Sequence, residues 1–227
     1  MKVNADFNRT VVLRPTDREW IHSPQAGVDR QMLDRIGDEV ARATSIVRYR
    51  PGSDFKPHRH DLGEEFLVLD GVFADEHGCY PTGTYVRNPP GSAHRPDVPN
   101  GCTIFVKLRQ FHPEDLTPVT IDVDDSMAGA PVRAMGRHSL PLHDFRTETV
   151  TVEQLGPAEE LQQDLPGGAE LLILQGTLLH DGETLPVHSW IRLPAGGKLS
   201  VNGGRDGARF WMKTGHLPPS EAVQGNL

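Results

Sequence analysis

Residues 64–94 and 169–199 are two copies of one pattern. Shifted by 105 positions, "EEFLVLDGVFADEHGCYPTGTYVRNPPGSAH" falls on "AELLILQGTLLHDGETLPVHSWIRLPAGGKL" without a gap. Identities include Glu65/Glu170, Leu67/Leu172, Leu69/Leu174, Gly71/Gly176, Pro81/Pro186, Arg87/Arg192, Pro89/Pro194 and Gly91/Gly196. Outside this window Val47 meets Val152 and Phe105 meets Phe210. Glycines and prolines that stay in register mean that the turns recur as well as the hydrophobicity, so the repeating unit is a folded one.

That unit reads as β-structure. "SIVRY", "EFLVL", "TYVRN", "TIFVKL", "ETVTVEQL", "ELLILQG", "WIRLP" and "RFWMK" are short apolar runs about ten residues apart with turn residues between them, as in a sandwich or barrel. The 23 glycines and 19 prolines serve the turns of such a fold better than a helical bundle. Residues 17–24 and 29–43 could carry a little helix, and the second fits a bent strand equally well. The acidic, turn-rich stretch 117–139 reads as the join, which predicts units at 1–118 and 119–227.

Bulk properties exclude several classes. A net charge of −8 gives no electrostatic reason to bind nucleic acid or an anionic membrane. The start lacks a secretory pattern, and no apolar run approaches the roughly 20 residues of a bilayer span. Cys79 and Cys102 are too few for a disulfide framework and read as small buried hydrophobes. A cytoplasmic location is expected.

The chemistry concentrates in 51–71, "PGSDFKPHRHDLGEEFLVLDG". On a strand, His58 and His60 point the same way and Arg59 away from them. After the turn at "DLG", Glu64 opens a strand whose alternate residues Glu64, Phe66 and Val68 share a face. If the two strands form a hairpin, two imidazoles and a carboxylate converge. His94, behind a Pro-Pro-Gly turn, is the fourth candidate. Such a nitrogen and oxygen set suits one divalent transition metal, whether zinc, iron, manganese, nickel or copper. Glu65 is the alternative ligand, but the second copy keeps a glutamate there while Gln163, Leu165, Ala169 and Leu199 replace His58, His60, Glu64 and His94. A residue kept without its co-ligands reads as structural, and the second copy reads as metal-free. Phe66, Phe55 and Tyr85 are expected to line the pocket, with Arg87 a solvated strand residue. Trp190 and Trp211 should fill the second barrel, and His180, His188 and His216 lack ligand spacing.

Gly52, His58, His60, Glu64 and Gly71 resemble the first cupin motif, and Gly83, Pro89, Gly91 and His94 the second, whose usual final Asn is Val98 here. The resemblance implies an all-β fold of two tandem cupin (jelly-roll) barrels, the first with its metal and the second degenerate. Residues 42–108 look like the C-terminal cupin of ChrR-type anti-sigma factors, whose N-terminal H-x3-C-x2-C zinc motif does not occur in this sequence. That family implies a zinc-bound sensory or regulatory role in the transcriptional stress response, with an extracytoplasmic-function sigma factor or other regulatory protein as partner. The rival implication is a metal-dependent cupin dioxygenase acting on a small diketone-like molecule, with a sugar isomerase behind it. Whether the chain is an enzyme stays open at this level. Exposed barrel edges suggest a homodimer.

Overall fold

The computed structural model describes residues 1–131 and 137–217. Antiparallel β-strands dominate, and the chain divides into two units, Met1–Ala5 with Arg18–Asp124 and Asp6–Asp17 with Asp125–Leu227. The expected join falls partly outside the described residues, at 132–136. Its described part holds a strand, Val119–Asp122, and one short helix, Val123–Met127. No helix among the described residues is long and apolar enough to cross a membrane.

In the first unit, the main sheet runs Lys2–Val3, Val28–Gly37, Ala41–Tyr49, Cys102–Leu108, Glu64–Asp75, Thr84–Asn88, Val119–Asp122. Residues 29–43 are thus neither helix nor one bent strand: they form most of a hairpin, Val28–Gly37 paired with Ala41–Tyr49. Within 17–24, a 3-10 turn ends at Asp17 and a short strand covers Ile21–His22. In the second unit, the order is His138–Phe145, Glu148–Leu155, Gly197–Thr214, Ala169–His180, Trp190–Leu193, Val11–Leu13. Apart from Lys2–Val3, which has no counterpart among the described residues, the same succession of neighbours recurs, with one difference of connection. The last strand in the order of the first unit, Val119–Asp122, follows its neighbour in sequence. Its counterpart in the second unit, Val11–Leu13, precedes everything else in that unit.

The repeated glycines have a geometric cause. In Glu64–Asp75 the pairing with Cys102–Leu108 slips after Val68, leaving Leu69 as an extra residue, and Leu174 takes the same place in Ala169–His180. Gly71 and Gly176 follow the bulges at φ of 77° and 69°. A Cβ there would come within 2.6 Å of Gly101 O and 2.2 Å of Gly207 O, so both positions require glycine. The registers also correct two identities outside the repeat window. Leu67 faces Phe105, which faces Ile46, while Leu172 faces Trp211, which faces Val152. The repeat therefore slips by one residue there, and Phe105 corresponds to Trp211, Ile46 to Val152.

Each unit has its own apolar interior. In the first it includes Val28, Val47, Phe55, Phe66, Val68, Phe73, Ile104 and Val106. In the second it includes Leu165, Ala169, Leu171, Ile173, Ile191, Leu199, Phe210 and Met212. Three of the four positions that correspond to candidate ligands are thus packed core. Trp190 and Trp211 are fully buried but do not belong to this interior; they alternate with its residues, and Trp190 Nε1 donates to Glu170 at 3.3 Å.

Candidate metal centre

His58 and His94 arrive from two short strands, His58–His60 and Ser92–His94, paired so that His94 faces His58 and Ser92 faces His60. The histidine strand therefore pairs with the segment carrying His94, and not in a hairpin with the strand that Glu64 opens. Alternation places His58 and His60 on one side and the exposed Arg59 on the other. The three imidazole rings stand 4.8–4.9 Å apart, nearly perpendicular to one another. Their ligating nitrogens lie within 4.8 Å of one another.

The donor set fits a cation. His60 Nε2 and His94 Nε2 face each other at 3.1 Å, and Glu64 Oε2 lies 3.4 Å from the first and 3.7 Å from the second. Donors about 2.1 Å from a common ion would stand about 3.0 Å apart at a right angle and about 3.4 Å at the tetrahedral angle. The outer nitrogens fix the tautomers. Asp75 Oδ2 accepts from His94 Nδ1 at 3.0 Å, and the Lys56 carbonyl accepts from His58 Nδ1 at 3.2 Å. Because both partners only accept, the Nε2 lone pairs are left free to ligate. Asn88 Nδ2 donates to Glu64 Oε2 at 3.1 Å, fixing the carboxylate.

Burial tunes the same groups. It pushes the His60 pKa down to about 4, with His58 adding to the effect, and it lowers that of His94. Both rings are therefore neutral near pH 7 and present lone pairs without first losing a proton. Burial raises the Glu64 pKa above the usual carboxylate range, against the pull of His94 and Asn88. A cation in the middle reverses that tendency, since it favours the ionised carboxylate.

The other candidates separate. Glu65 points away from the imidazoles into a buried cluster, accepting from Tyr85 Oη at 2.6 Å and Arg87 Nη1 at 2.7 Å. Arg87 is fully buried, bridges on to Asp115 at 2.6 Å and stacks 4.1 Å over the Phe111 ring. It is no solvated residue, and Tyr85 belongs to this cluster rather than to the metal pocket. The second unit keeps the Glu–Arg cross-strand pair, Glu170 opposite Arg192 as Glu65 is opposite Arg87. There Arg192 stacks 4.2 Å over Phe7 and donates to the Asp6 carbonyl. Retention of the glutamate in both copies follows from this pair. Cys102 is buried as expected, whereas Cys79 is exposed.

A cavity of about 410 Å³ opens beside the ligands; Val28, Val47, Tyr49, Phe55, Val106 and Leu108 line it together with His58 and Glu64. Phe55 lines it as expected. Phe66 sits in the core behind, 4.8 Å from the Phe73 ring, which in turn lies 5.7 Å from the His94 ring. Sequence reasoning missed Asp75, Asn88, Tyr49 and Arg30, another cavity residue. The bulge at Leu69 hides Asp75: it switches the inward parity from Glu64, Phe66 and Val68 to Phe73 and Asp75.

Residues 8–112 match the family described as the ChrR Cupin-like domain. No curated protein matches the chain. Among solved structures, similarity extends over most of the length. A dioxygenase candidate from Nostoc punctiforme superposes with a TM-score of 0.71 at 14% identity, covering 90% of this chain and 82% of that one. The bacterial pirin of Escherichia coli in complex with nickel(II) gives 0.69 at 12%, covering 93% and 100%. The salicylate 1,2-dioxygenase of Pseudaminobacter salicylatoxidans gives 0.61 at 11%, covering 91% and 84%. At these identities the likeness is one of fold, and that fold is the cupin jelly roll.

Proposed function

We propose that the chain is a bicupin in which one divalent transition metal, held by His58, His60, Glu64 and His94, serves oxygen-dependent chemistry on a small organic molecule bound beside it. The observation that carries this reading is the convergence of three imidazoles and a carboxylate beside a cavity of about 410 Å³ with several apolar walls, which His58 and Glu64 help to line. A purely structural ion would need no such cavity, which is of the size that takes small ligands. The matching strand order of the two units and the core packing of Leu165, Ala169 and Leu199 support a second, metal-free cupin.

When bound, the metal supplies a Lewis acid and, if it is iron, a redox centre for dioxygen. The residues do the rest. Asp75 holds the His94 tautomer, and Asn88 holds the Glu64 carboxylate in place. Val47, Phe55 and Val106 give the cavity apolar walls for the body of such a molecule. Tyr49 lines it too, and burial pushes its phenol upward, so it remains a proton-bearing donor for a ligand atom.

The test is elemental analysis of protein purified without added metal, followed by oxygen uptake of iron-reconstituted protein with small diketones and hydroxy acids. One metal per chain, lost in His58→Ala, with substrate-dependent oxygen uptake supports the reading. Zinc that iron cannot replace, with no uptake on any substrate, defeats it. A second reading, a zinc-bound sensor related to ChrR-type anti-sigma factors, draws on the family match over residues 8–112. Retention of an extracytoplasmic-function sigma factor by the zinc-loaded chain would support that alternative.

A further inference from the structure

The cavity beside the metal ligands contains a largely buried cation whose purpose the metal does not explain. On Val28–Gly37, Val28 is part of the apolar interior, and Arg30, two residues on, faces the same side and lines the cavity. Its side chain is only 16% exposed, and its buried Nε has no hydrogen-bond partner among the described residues. The nearest carboxylate among the described residues is Glu39, whose oxygen lies 4.0 Å from Arg30 Nη2, the outer limit of an ion pair, on a side chain that is 67% exposed. A guanidinium withdrawn from water with so little compensation is costly unless an anion completes its hydrogen bonds.

We propose that Arg30 is the anion anchor of this cavity, and that the molecule taken up beside His58 and Glu64 is a small monocarboxylate with an apolar body. This rests on reading the metal centre as a site for a small ligand. The planar guanidinium fork matches a carboxylate in two parallel hydrogen bonds. The remaining walls are mainly apolar: Val28, Val47, Phe55, Val106 and Leu108 suit an aryl or short alkyl group. Among the described residues Lys56 is the one other Lys or Arg on the wall and is exposed, while Glu39 and Glu64 add negative charge. A phosphate dianion would meet those carboxylates with too few donors for its oxygens; a monocarboxylate needs only the fork.

The experiment is titration calorimetry on the zinc-reconstituted full chain, where no turnover confuses binding. Benzoate, its neutral isostere benzamide, and acetylacetone as a metal chelator that needs no anchor are the probes. Benzoate is expected to bind at least tenfold more tightly than benzamide. Arg30→Gln should erase that preference while leaving acetylacetone unchanged. Glu39→Gln, a change on an exposed turn, should tighten benzoate two- to fivefold and keeps the test decisive if Arg30→Gln misfolds. Equal binding of benzoate and benzamide, or a benzoate preference that survives Arg30→Gln, overturns the anchor. If acetylacetone binds in a His58-dependent way while benzoate does not, the anchor falls and the metal-site reading stands. If neither probe binds the zinc-loaded chain, both fall.

Discussion

Asp75→Asn changes one oxygen to nitrogen at a buried position and should weaken metal binding without unfolding the barrel. Asp75 Oδ1 accepts from the His77 and Gly78 amides at 2.8 and 3.1 Å and from Tyr80 Oη at 3.2 Å, while Oδ2 accepts from His94 Nδ1 at 3.0 Å. In the variant, three donors hold the amide oxygen where Oδ1 was, so the amide NH2 turns toward His94. A donor facing Nδ1 forces the ring proton onto Nε2, the atom that stands 3.1 Å from His60 Nε2 and must carry the lone pair for the metal. Losses of this kind cost about tenfold to hundredfold in metal affinity, or about 1.4–2.8 kcal/mol. The turn at residues 75–78 keeps its hydrogen bonds, so the metal-free protein should lose no more than about 1 kcal/mol. Zinc competition against a chromophoric chelator measures the first quantity, and urea denaturation of the apo-protein the second. A zinc affinity within twofold of wild type would refute the claim that Asp75 sets the His94 tautomer.

Other outcomes follow from neighbouring geometry. Glu64→Gln should lose the ion, whereas Glu65→Gln should still bind one per chain; plasma emission spectrometry on the two purified variants decides between adjacent glutamates. Arg87→Met strands Glu65 and Asp115 as buried, unbalanced carboxylates and should cost about 3–5 kcal/mol in urea denaturation, more than any loss of surface charge. The buried His60 and His94 should weaken the apo-protein as it is acidified, against the opposite pull of the raised Glu64 carboxyl. With the folded His60 pKa at about 4 and the unfolded value near 6.5, its contribution is complete above pH 6.5 and is lost as pH falls toward 4, on the order of 3 kcal/mol in all. His94 acts in the same direction. Denaturation curves across that window should be visibly flatter for His60→Gln.

The histidines were legible because a metal site imposes its spacing on consecutive residues: His58 and His60 share a face on any strand, and the motif glycines mark the turns around them. The repeat was legible for the same reason, through glycines at bulges that no other residue fills. What stayed hidden depends on register. The one-residue slip that pairs Ile46 with Phe105 but Val152 with Trp211 leaves no mark in a gapless comparison. Nor does an inward arginine: Arg30 in "VDRQML" alternates like a solvent-facing charge, and only the strands around it show which side is the interior. Arg87 misled in the same way, because Asp115 and Phe111, which cover it, lie more than twenty residues away in sequence. Trp190 and Trp211 misled through parity, since both are buried while facing away from their barrel's core.

The Val11–Leu13 strand has a consequence for how this polypeptide comes into being. Its partner, Trp190–Leu193, is synthesised almost 180 residues later, so the first edge of the second unit must wait unpaired while the whole of the first unit is made. The second unit is therefore not contiguous in sequence. A piece beginning at residue 119 would lack the strand hydrogen-bonded to Trp190–Leu193, together with the Phe7 ring and the Asp6 carbonyl that cover Arg192. Supplying residues 6–17 as a separate peptide, or joining them behind the C-terminus by circular permutation, would give that piece back its edge.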